Sequence, residues 1–274
     1  MPPTGSGALL TVLGAGTLLP DAHRHSASFH LQLERGGLLL DCGTGTLHGL
    51  ARRGLPWRDI DVIAISHYHS DHVGDLPALL AALKFSGRTR PLTLLGPAGF
   101  RGFLGRLADA FGSYVLDPGF PLRVTGITEA KGWVDAEMEI GVGGISTPHT
   151  EESIALKIDG AWGRVGYTGD TGPSADVAAF LTGCTLLIAE CALADPPEMN
   201  THLSPEGVGA LARVARPELL VLSHVYPPQT PQDAVSSVSA VYDGKTVAAA
   251  DGARFQLSRR GVAVAPSAGD LYTS

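Results

Sequence analysis

The stretch ISHYHSDHVGDL, Ile65–Leu76, crowds three histidines and two aspartates behind an apolar segment that predicts a short buried strand. Side chains two positions apart at a strand end point the same way, so His67 and His69 can reach one metal ion. Asp71 and His72 lie past the predicted strand end, where a loop can turn them toward a second ion. Imidazole and carboxylate ligands suit zinc, and also manganese or iron.

The composition is that of a globular chain with enough apolar material for a core. The chain has 274 residues, of which 44% are hydrophobic and 17% charged. Its formal charge of −7 argues against a basic surface for extended nucleic acid. Cys42, Cys184 and Cys191 form an odd set without CxxC spacing, which disfavours a disulfide framework and fits a reducing cytoplasm. The N-terminus has no secretory pattern and no apolar run reaches membrane-spanning length, so no membrane association is expected.

Hydrophobic periodicity predicts strands that alternate with helices in both halves of the chain. Predicted strands are 8–13, 28–34, 38–41, 60–66, 92–95, 122–125, 136–140, 154–158, 164–167, 186–190, 219–223 and a closing pair within 246–257. Predicted helices are 44–53, 76–85, 98–111, 173–181, 204–216 and 232–242. This order predicts an α+β four-layer αββα sandwich. We expect a single domain over 1–274, with a loose tail at 267–274.

Three more ligand-type residues each follow a predicted strand. His149 lies in GGISTPHTEES, Asp170 in RVGYTGDTGP and His224 in LLVLSHVYPP.

The form HxHxDH of residues 67–72 resembles the signature of the metallo-β-lactamase fold superfamily, and the three later residues occur in that family's order. The stretch LLLDCGTG, residues 38–45, resembles the family's first motif, in which Asp41 would orient ligands by hydrogen bonds. The resemblance covers roughly residues 9–255. It implies the αββα metallo-β-lactamase fold and a hydrolase that uses two divalent metal ions, zinc first and manganese or iron as alternatives.

The resemblance also implies a role for each ligand residue. His67, His69 and His149 would hold the first ion, Asp71, His72 and His224 the second, and Asp170 would bridge them. A hydroxide shared by the two ions would then be the nucleophile, because two cations lower the pKa of a common water. Asp71 is counted as catalytic as well as a ligand.

Glu190 ends the stretch TLLIAE, and His202 precedes a predicted helix start in NTHLSPEG. This pattern is similar to ribonuclease Z-type members, in which a histidine near the leaving oxygen contacts an acid. The resemblance implies that Glu190 and His202 are catalytic, with the histidine assisting the leaving alkoxide. The alternative is a buried packing carboxylate and a helix-entry histidine.

Both the similarities to ribonuclease Z-type proteins and the differences from them bear on the expected substrate class. The stretch LGAGTLLP resembles the N-terminal loop of the ribonuclease Z-like branch; as a dinucleotide motif it fails, because Leu19 occupies the third glycine position. Against a true ribonuclease Z stand Ser70 in place of the motif's common glycine and the acidic net charge. The tRNA-gripping arm also has no room, since only 170 − 149 = 21 positions separate His149 from Asp170.

The leading hypothesis is therefore a dinuclear metal-dependent phosphodiesterase for small-molecule phosphodiesters, with extended nucleic acid disfavoured. Alternatives are a lactone or thioester hydrolase of the same fold and a true ribonuclease Z-type tRNA 3′-processing nuclease. The complete ligand set argues against a non-enzymatic binder. The sequence leaves a homodimer open.

Overall fold

A computed structural model describes residues 7–267 and arranges them as two β-sheets packed face to face, with helices on both outer faces. The strands are β1 (Ala8–Gly14), β2 (Ser28–Gln32), β3 (Gly37–Leu40), β4 (Ile60–Ala64), β5 (Leu92–Gly96), β6 (Leu122–Gly126), β7 (Trp133–Asp135), β8 (Ile140–Ser146), β9 (Ile154–Gly160), β10 (Gly163–Tyr167), β11 (Leu186–Glu190), β12 (Leu219–Ser223), β13 (Thr246–Ala248), β14 (Arg254–Ser258) and β15 (Gly261–Ala265). The helices are α1 (Thr46–Arg52), α2 (Ser70–Val73), α3 (Leu76–Phe85), α4 (Phe100–Phe111), α5 (Ala175–Phe180), α6 (Pro205–Ala215) and α7 (Pro231–Val241). The predicted αββα sandwich is confirmed.

Strand order places the chemistry at one edge of the sandwich. The first sheet runs β15-β14-β1-β2-β3-β4-β5-β6 and the second β13-β12-β11-β10-β9-β8-β7. Strands β3 to β6 pair in parallel, as do β10 to β13. The carboxyl ends of β4, β10, β11 and β12 therefore meet at the same edge of the two facing sheets.

Successive side chains along each strand point to opposite faces of its sheet, which gives one apolar layer between the sheets and one on each outer face. In β2, Phe29 and Leu31 point into the core between the sheets, together with Val165 and Ile188 from the second sheet. His30 lies between them on the opposite face, buried at 1% exposure, and neither of its ring nitrogens has a hydrogen-bond partner within residues 7–267. The outer layers pack α3 and α4 on the first sheet and α5, α6 and α7 on the second.

One strand prediction at the sheet margin is wrong. Residues 136–139 form a turn instead of a strand, because the Asp135 carboxylate accepts hydrogen bonds from the backbone N–H groups of Glu137 and Met138. The strand predicted at 136–140 therefore begins only at Ile140 and continues to Ser146. The two short closing strands are present as predicted: β13 joins β12, and β14 lies between β1 and the unpredicted β15. Of the tail predicted to be loose, residues 268–274 lie outside the described residues.

Helix length and cysteine burial bear on the remaining predictions. In the part of the chain from 7 to 267, no helix is both long and apolar enough to cross a membrane.

All three cysteines are free and buried, and burial raises the pKa of Cys184 and of Cys191 to about 12. Such thiols are packing residues at neutral pH, not nucleophiles.

Candidate metal centre

The seven predicted ligand residues meet at the shared edge of the two sheets. His67 and His69 follow β4, Asp71 and His72 lie in the short helix α2, and the other three follow β8, β10 and β12. They form two groups of closely spaced ligand atoms that could each hold a metal ion. The first group is His67, His69, His149 and Asp170, and the second is Asp71, His72 and His224.

Distances within the first group match those around a metal ion. The Nδ1 atom of His69 lies 3.0 Å from Nε2 of His67 and 3.1 Å from Nε2 of His149. Ligand atoms at the usual zinc–nitrogen distance in a tetrahedral site are about 3.3 Å apart. The three nitrogens therefore already stand at coordination spacing.

Asp170 lies between the two groups. Its Oδ1 atom is 3.4 Å from Nε2 of His72, and its Oδ2 atom is 3.5 Å from Nε2 of His224. The same Oδ2 atom is 3.7 Å from Nε2 of His67 and from Nε2 of His149. One carboxylate thus reaches histidines of both groups, as a bridging ligand must.

Asp41 hydrogen-bonds residues of the cluster and its surroundings. Its carboxylate accepts hydrogen bonds from the backbone N–H and the hydroxyl of Ser66, both at 2.7 Å, and from His72 Nδ1 and the Tyr167 hydroxyl, both at 2.6 Å. Because Nδ1 of His72 donates to Asp41, its Nε2 is the nitrogen directed at the cluster. The orienting role predicted for Asp41 agrees with this geometry. Tyr167 reaches Asp41 from the opposite sheet, a contact that no motif indicates.

His149 is oriented in a similar way by the chain before α6. Its Nδ1–H donates to the backbone carbonyl of Thr201 at 3.0 Å, which leaves Nε2 free to face the cluster. The loop that carries His202 therefore also fixes His149.

Unpartnered buried atoms show that the residues fit a cation. His72 Nε2, Asp170 Oδ1 and His224 Nε2 are inaccessible to solvent and have no hydrogen-bond partner among the described residues. Buried polar atoms are almost always partnered, since each unsatisfied group costs roughly 1–3 kcal/mol. Three such atoms facing one another are explained by metal ions, which need lone pairs and not protons.

The protonation of the cluster in the metal-free protein favours the same conclusion. Burial lowers the pKa of His67 and His224 well below the ordinary value, and lowers that of His149 to about 4. These imidazoles are neutral, as metal ligands must be. Burial raises the pKa of Asp170 to about 7. Burial alone would lower the pKa of His72, but the charges of Asp170 and Asp41 raise it to about 10, so a cation would displace a proton there.

Glu190 and His202 form a pair against the cluster. Nδ1 of His202 lies 2.9 Å from Oε1 of Glu190, and the His202 ring centroid lies 4.6 Å from that of His149. Glu190 is 2% exposed and also accepts backbone N–H groups of Thr171 and Leu203. Burial lowers the pKa of His202, but the hydrogen bond and charge of Glu190 outweigh it, so the net direction is upward. The predicted acid–histidine contact is present.

A second histidine–carboxylate pair lies near Asp71, since its histidine, His25, lines the same cavity as Asp71. Nδ1 of His25 is 2.7 Å from Oδ2 of Asp251, although 226 positions separate the two residues in the chain. The sequence contains no signal for this pair, because neither residue belongs to a motif. Asp75 directly precedes α3, but its carboxylate does not cap that helix and instead accepts the backbone N–H groups of Gly45 and Leu47 at the start of α1.

Comparisons with known proteins agree with the fold. Residues 37–225 match the Beta-lactamase superfamily domain. A curated ribonuclease Z from Methanosarcina acetivorans is 28% identical over 265 residues, covering 79% of this chain and 87% of the relative.

Two solved structures share the fold. The metallo-β-lactamase fold protein YhfI from Bacillus subtilis superposes with a TM-score of 0.80 at 21% identity, over 91% of this chain and 99% of YhfI. A diphosphatase from the PhnP family superposes with a TM-score of 0.69 at 18% identity, over 92% of this chain and 98% of that protein. The chain belongs to the metallo-β-lactamase superfamily and is a metal-dependent hydrolase of that fold.

Proposed function

We propose that the protein is a dinuclear metal-dependent phosphodiesterase that acts on small phosphodiesters. The observation that carries this proposal is Asp170, whose carboxylate lies 3.4–3.7 Å from histidine nitrogens of both ligand groups. Sites that hold two metal ions a few ångströms apart are the common solution for in-line displacement at phosphorus, because they clamp both the entering and the leaving oxygen.

The proposed ligand set uses all seven residues. His67, His69 and His149 would hold one ion, Asp71, His72 and His224 the other, and Asp170 both. Five imidazoles among seven ligands favour zinc, with manganese or iron as alternatives. When bound, the two cations would lower the pKa of a water and stabilise charge on the attacked phosphoryl group.

His202 is the proposed proton donor to the leaving oxygen. Its Nδ1 is occupied by Glu190, so Nε2 is the nitrogen available to the substrate. Glu190 would hold the ring in one orientation and stabilise its protonated form. A phosphodiester with a poor leaving alcohol depends most on such a proton.

The names of the relatives support phosphorus chemistry. A ribonuclease and a diphosphatase both cleave bonds to phosphate, and these are the activities named for the curated relative and for one structural neighbour. This similarity is weaker support than the geometry, since identities are 28% and 18%.

The preference for a small substrate rests on charge and on chain length. Between His149 and Asp170 the structure has only β9, β10 and their connections, with no projecting arm. Long RNA is bound through many phosphate contacts, and a chain of net charge −7 supplies few cations for them. The second candidate is tRNA 3′ processing, which the match to ribonuclease Z favours.

One metal-replete preparation distinguishes these candidates. We expect about two equivalents of metal per chain by elemental analysis, hydrolysis of bis-p-nitrophenyl phosphate, and little cleavage of a precursor tRNA with a 3′ trailer. Efficient trailer removal would select the second candidate. Turnover of a lactone or of S-lactoylglutathione without any phosphodiester hydrolysis would reject phosphorus chemistry altogether.

A further inference from the structure

A cavity of about 240 Å³ opens beside Asp71, and His202 does not line it. Its walls come from the loop between β1 and β2, from the segment that precedes α1 and from the first residues of α2. Clefts that enclose a whole drug-sized ligand measure roughly 300–1,000 Å³, so this cavity has the size for one part of a substrate.

His25 provides the first polar wall. Asp251 accepts Nδ1 of His25 at 2.7 Å and also the backbone N–H groups of His25 and Ala15, at 2.9 and 3.0 Å. The ring is thereby held in place, and its side chain is 33% exposed at the cavity. Within residues 7–267, nothing hydrogen-bonds Nε2, so this nitrogen is free for a ligand.

Ser70 and Thr44 provide the second polar wall. Both residues are exposed and line the cavity, and among the described residues neither hydroxyl has a hydrogen-bond partner. Ser70 is also the position at which this chain departs from the glycine common in the ribonuclease Z motif. A departure that places a hydroxyl next to Asp71 is a specific feature of this chain's site.

The third wall is apolar and fixed in place. Leu18 and Leu19 line the cavity and are 60% and 49% exposed, an unusual pair of adjacent exposed leucines. Arg24 ties their loop to the cluster, since its guanidinium donates to the carbonyl of Val225, next to His224, at 3.2 Å. Arg24 also pairs with Asp21 at 2.8 Å, so its charge is not free for a phosphate.

We propose that this cavity is the subsite for a single ribonucleoside group of the substrate. The sugar hydroxyls bond Nε2 of His25 and the Ser70 hydroxyl, and the base covers Leu18 and Leu19. Hydroxyl-bonding groups discriminate strongly, because an analogue without the hydroxyl leaves them unpaired. The inference rests on the proposed function and narrows its substrate class to small esters of ribonucleotides.

The test compares three p-nitrophenyl phosphodiesters: the esters of uridine 5′-phosphate, of 2′,3′-dideoxyuridine 5′-phosphate and of methyl phosphate. For the wild type we expect kcat/KM for the uridine ester to exceed that for the dideoxy ester by at least ~10-fold. His25→Ala should bring this ratio close to one, and Ser70→Gly should lower it. His23→Ala is the matched control, since His23 is an exposed histidine of the same loop that does not line the cavity, and it should keep the wild-type ratio.

Binding supplies an independent measurement. We expect uridine 5′-monophosphate to bind the metal-replete wild type more tightly than its dideoxy analogue in calorimetry, and His25→Ala to lose the difference. His25→Gln serves as a second variant if the alanine protein is unfolded or lacks metal. Equal binding of the two nucleotides by the wild type, or an unchanged difference in a folded His25 variant, would overturn the subsite. Failure to hydrolyse all three esters would instead overturn the proposed function, while the binding difference still decides the subsite.

Discussion

Two histidine–carboxylate pairs flank the candidate metal centre, and they differ in what surrounds them. In His202–Glu190 the two atoms are 2.9 Å apart, and in His25–Asp251 they are 2.7 Å apart. Both carboxylates also accept backbone N–H groups, so both are anchored to the chain and hold their histidine in one orientation.

The difference lies in what the free side of each ring meets. The His202 ring contacts the His149 ring and stacks toward the His224 ring at 6.1 Å, so it faces the candidate metal ligands. His25 faces a cavity beside Asp71. The same pair of side chains is thus suited to proton delivery in one place and to recognition in the other, and position alone makes the distinction.

The largest expected effect comes from the residue that both pairs flank. Asp170→Ala should lower kcat/KM on bis-p-nitrophenyl phosphate by ~10⁴-fold, about 5.5 kcal/mol, since one carboxylate serves both ligand groups. Circular dichroism should show the fold retained, and elemental analysis should show reduced metal. Wild-type turnover in a folded Asp170→Ala protein would exclude the bridging role.

His202→Ala should act on the leaving group. We expect a loss of ~10³-fold on esters of poor leaving alcohols and a much smaller loss on p-nitrophenyl esters, because only the former need a proton. Metal content should be unchanged, and His25→Ala should show no dependence on the leaving group. Equal losses on both ester types would make His202 structural and would remove the contrast between the two pairs.

His30 provides a comparison for His25 and His202, because it is a buried histidine without a carboxylate partner within residues 7–267. Burial lowers its pKa to about 4, against about 6.5 in the unfolded chain. Below pH 6.5, His30 is protonated in the unfolded chain but stays neutral in the folded chain. The free energy of unfolding should therefore fall by about 3 kcal/mol between pH 6.5 and 4. In metal-free protein, urea unfolding of His30→Leu should show a shallower pH dependence than the wild type, and an identical dependence would contradict the assignment.

The smallest effects are expected from the carboxylates. Glu190→Gln should lower turnover of poor leaving-group esters by ~10-fold, because the amide no longer stabilises a protonated His202. Asp251→Asn should leave this turnover near wild type and reduce only the preference for the ribonucleoside ester. Both variants should lose roughly 1–3 kcal/mol of stability, measured by urea unfolding, since buried backbone N–H groups lose acceptors. If the two activity profiles coincide, the pairs are not functionally distinct.

Local sequence carries the candidate ligand set because the ligands sit at strand ends. His67 and His69 are two positions apart, and His149, Asp170 and His224 each follow an apolar run that forms a strand. Parallel pairing then brings those ends to one edge. The order of short segments predicted the sandwich, and the resemblance of residues 67–72 to a family signature identified the three later ligand residues. The strand at 136–140 failed because the Asp135 side chain captures backbone groups and makes a turn, which outweighs the apolar pattern.

Contacts between distant segments were decided by the tertiary structure alone. Tyr167 reaches Asp41 across 126 positions and His25 reaches Asp251 across 226, and no periodicity or motif spacing encodes such pairs. Periodicity reports which face of a strand is buried, and this is a property of neighbouring residues. Which polar atoms meet in the folded chain depends on the packing of the two sheets and on the loop held by Arg24. The candidate ligands could therefore be predicted from the sequence, but the cavity and the second histidine pair could not.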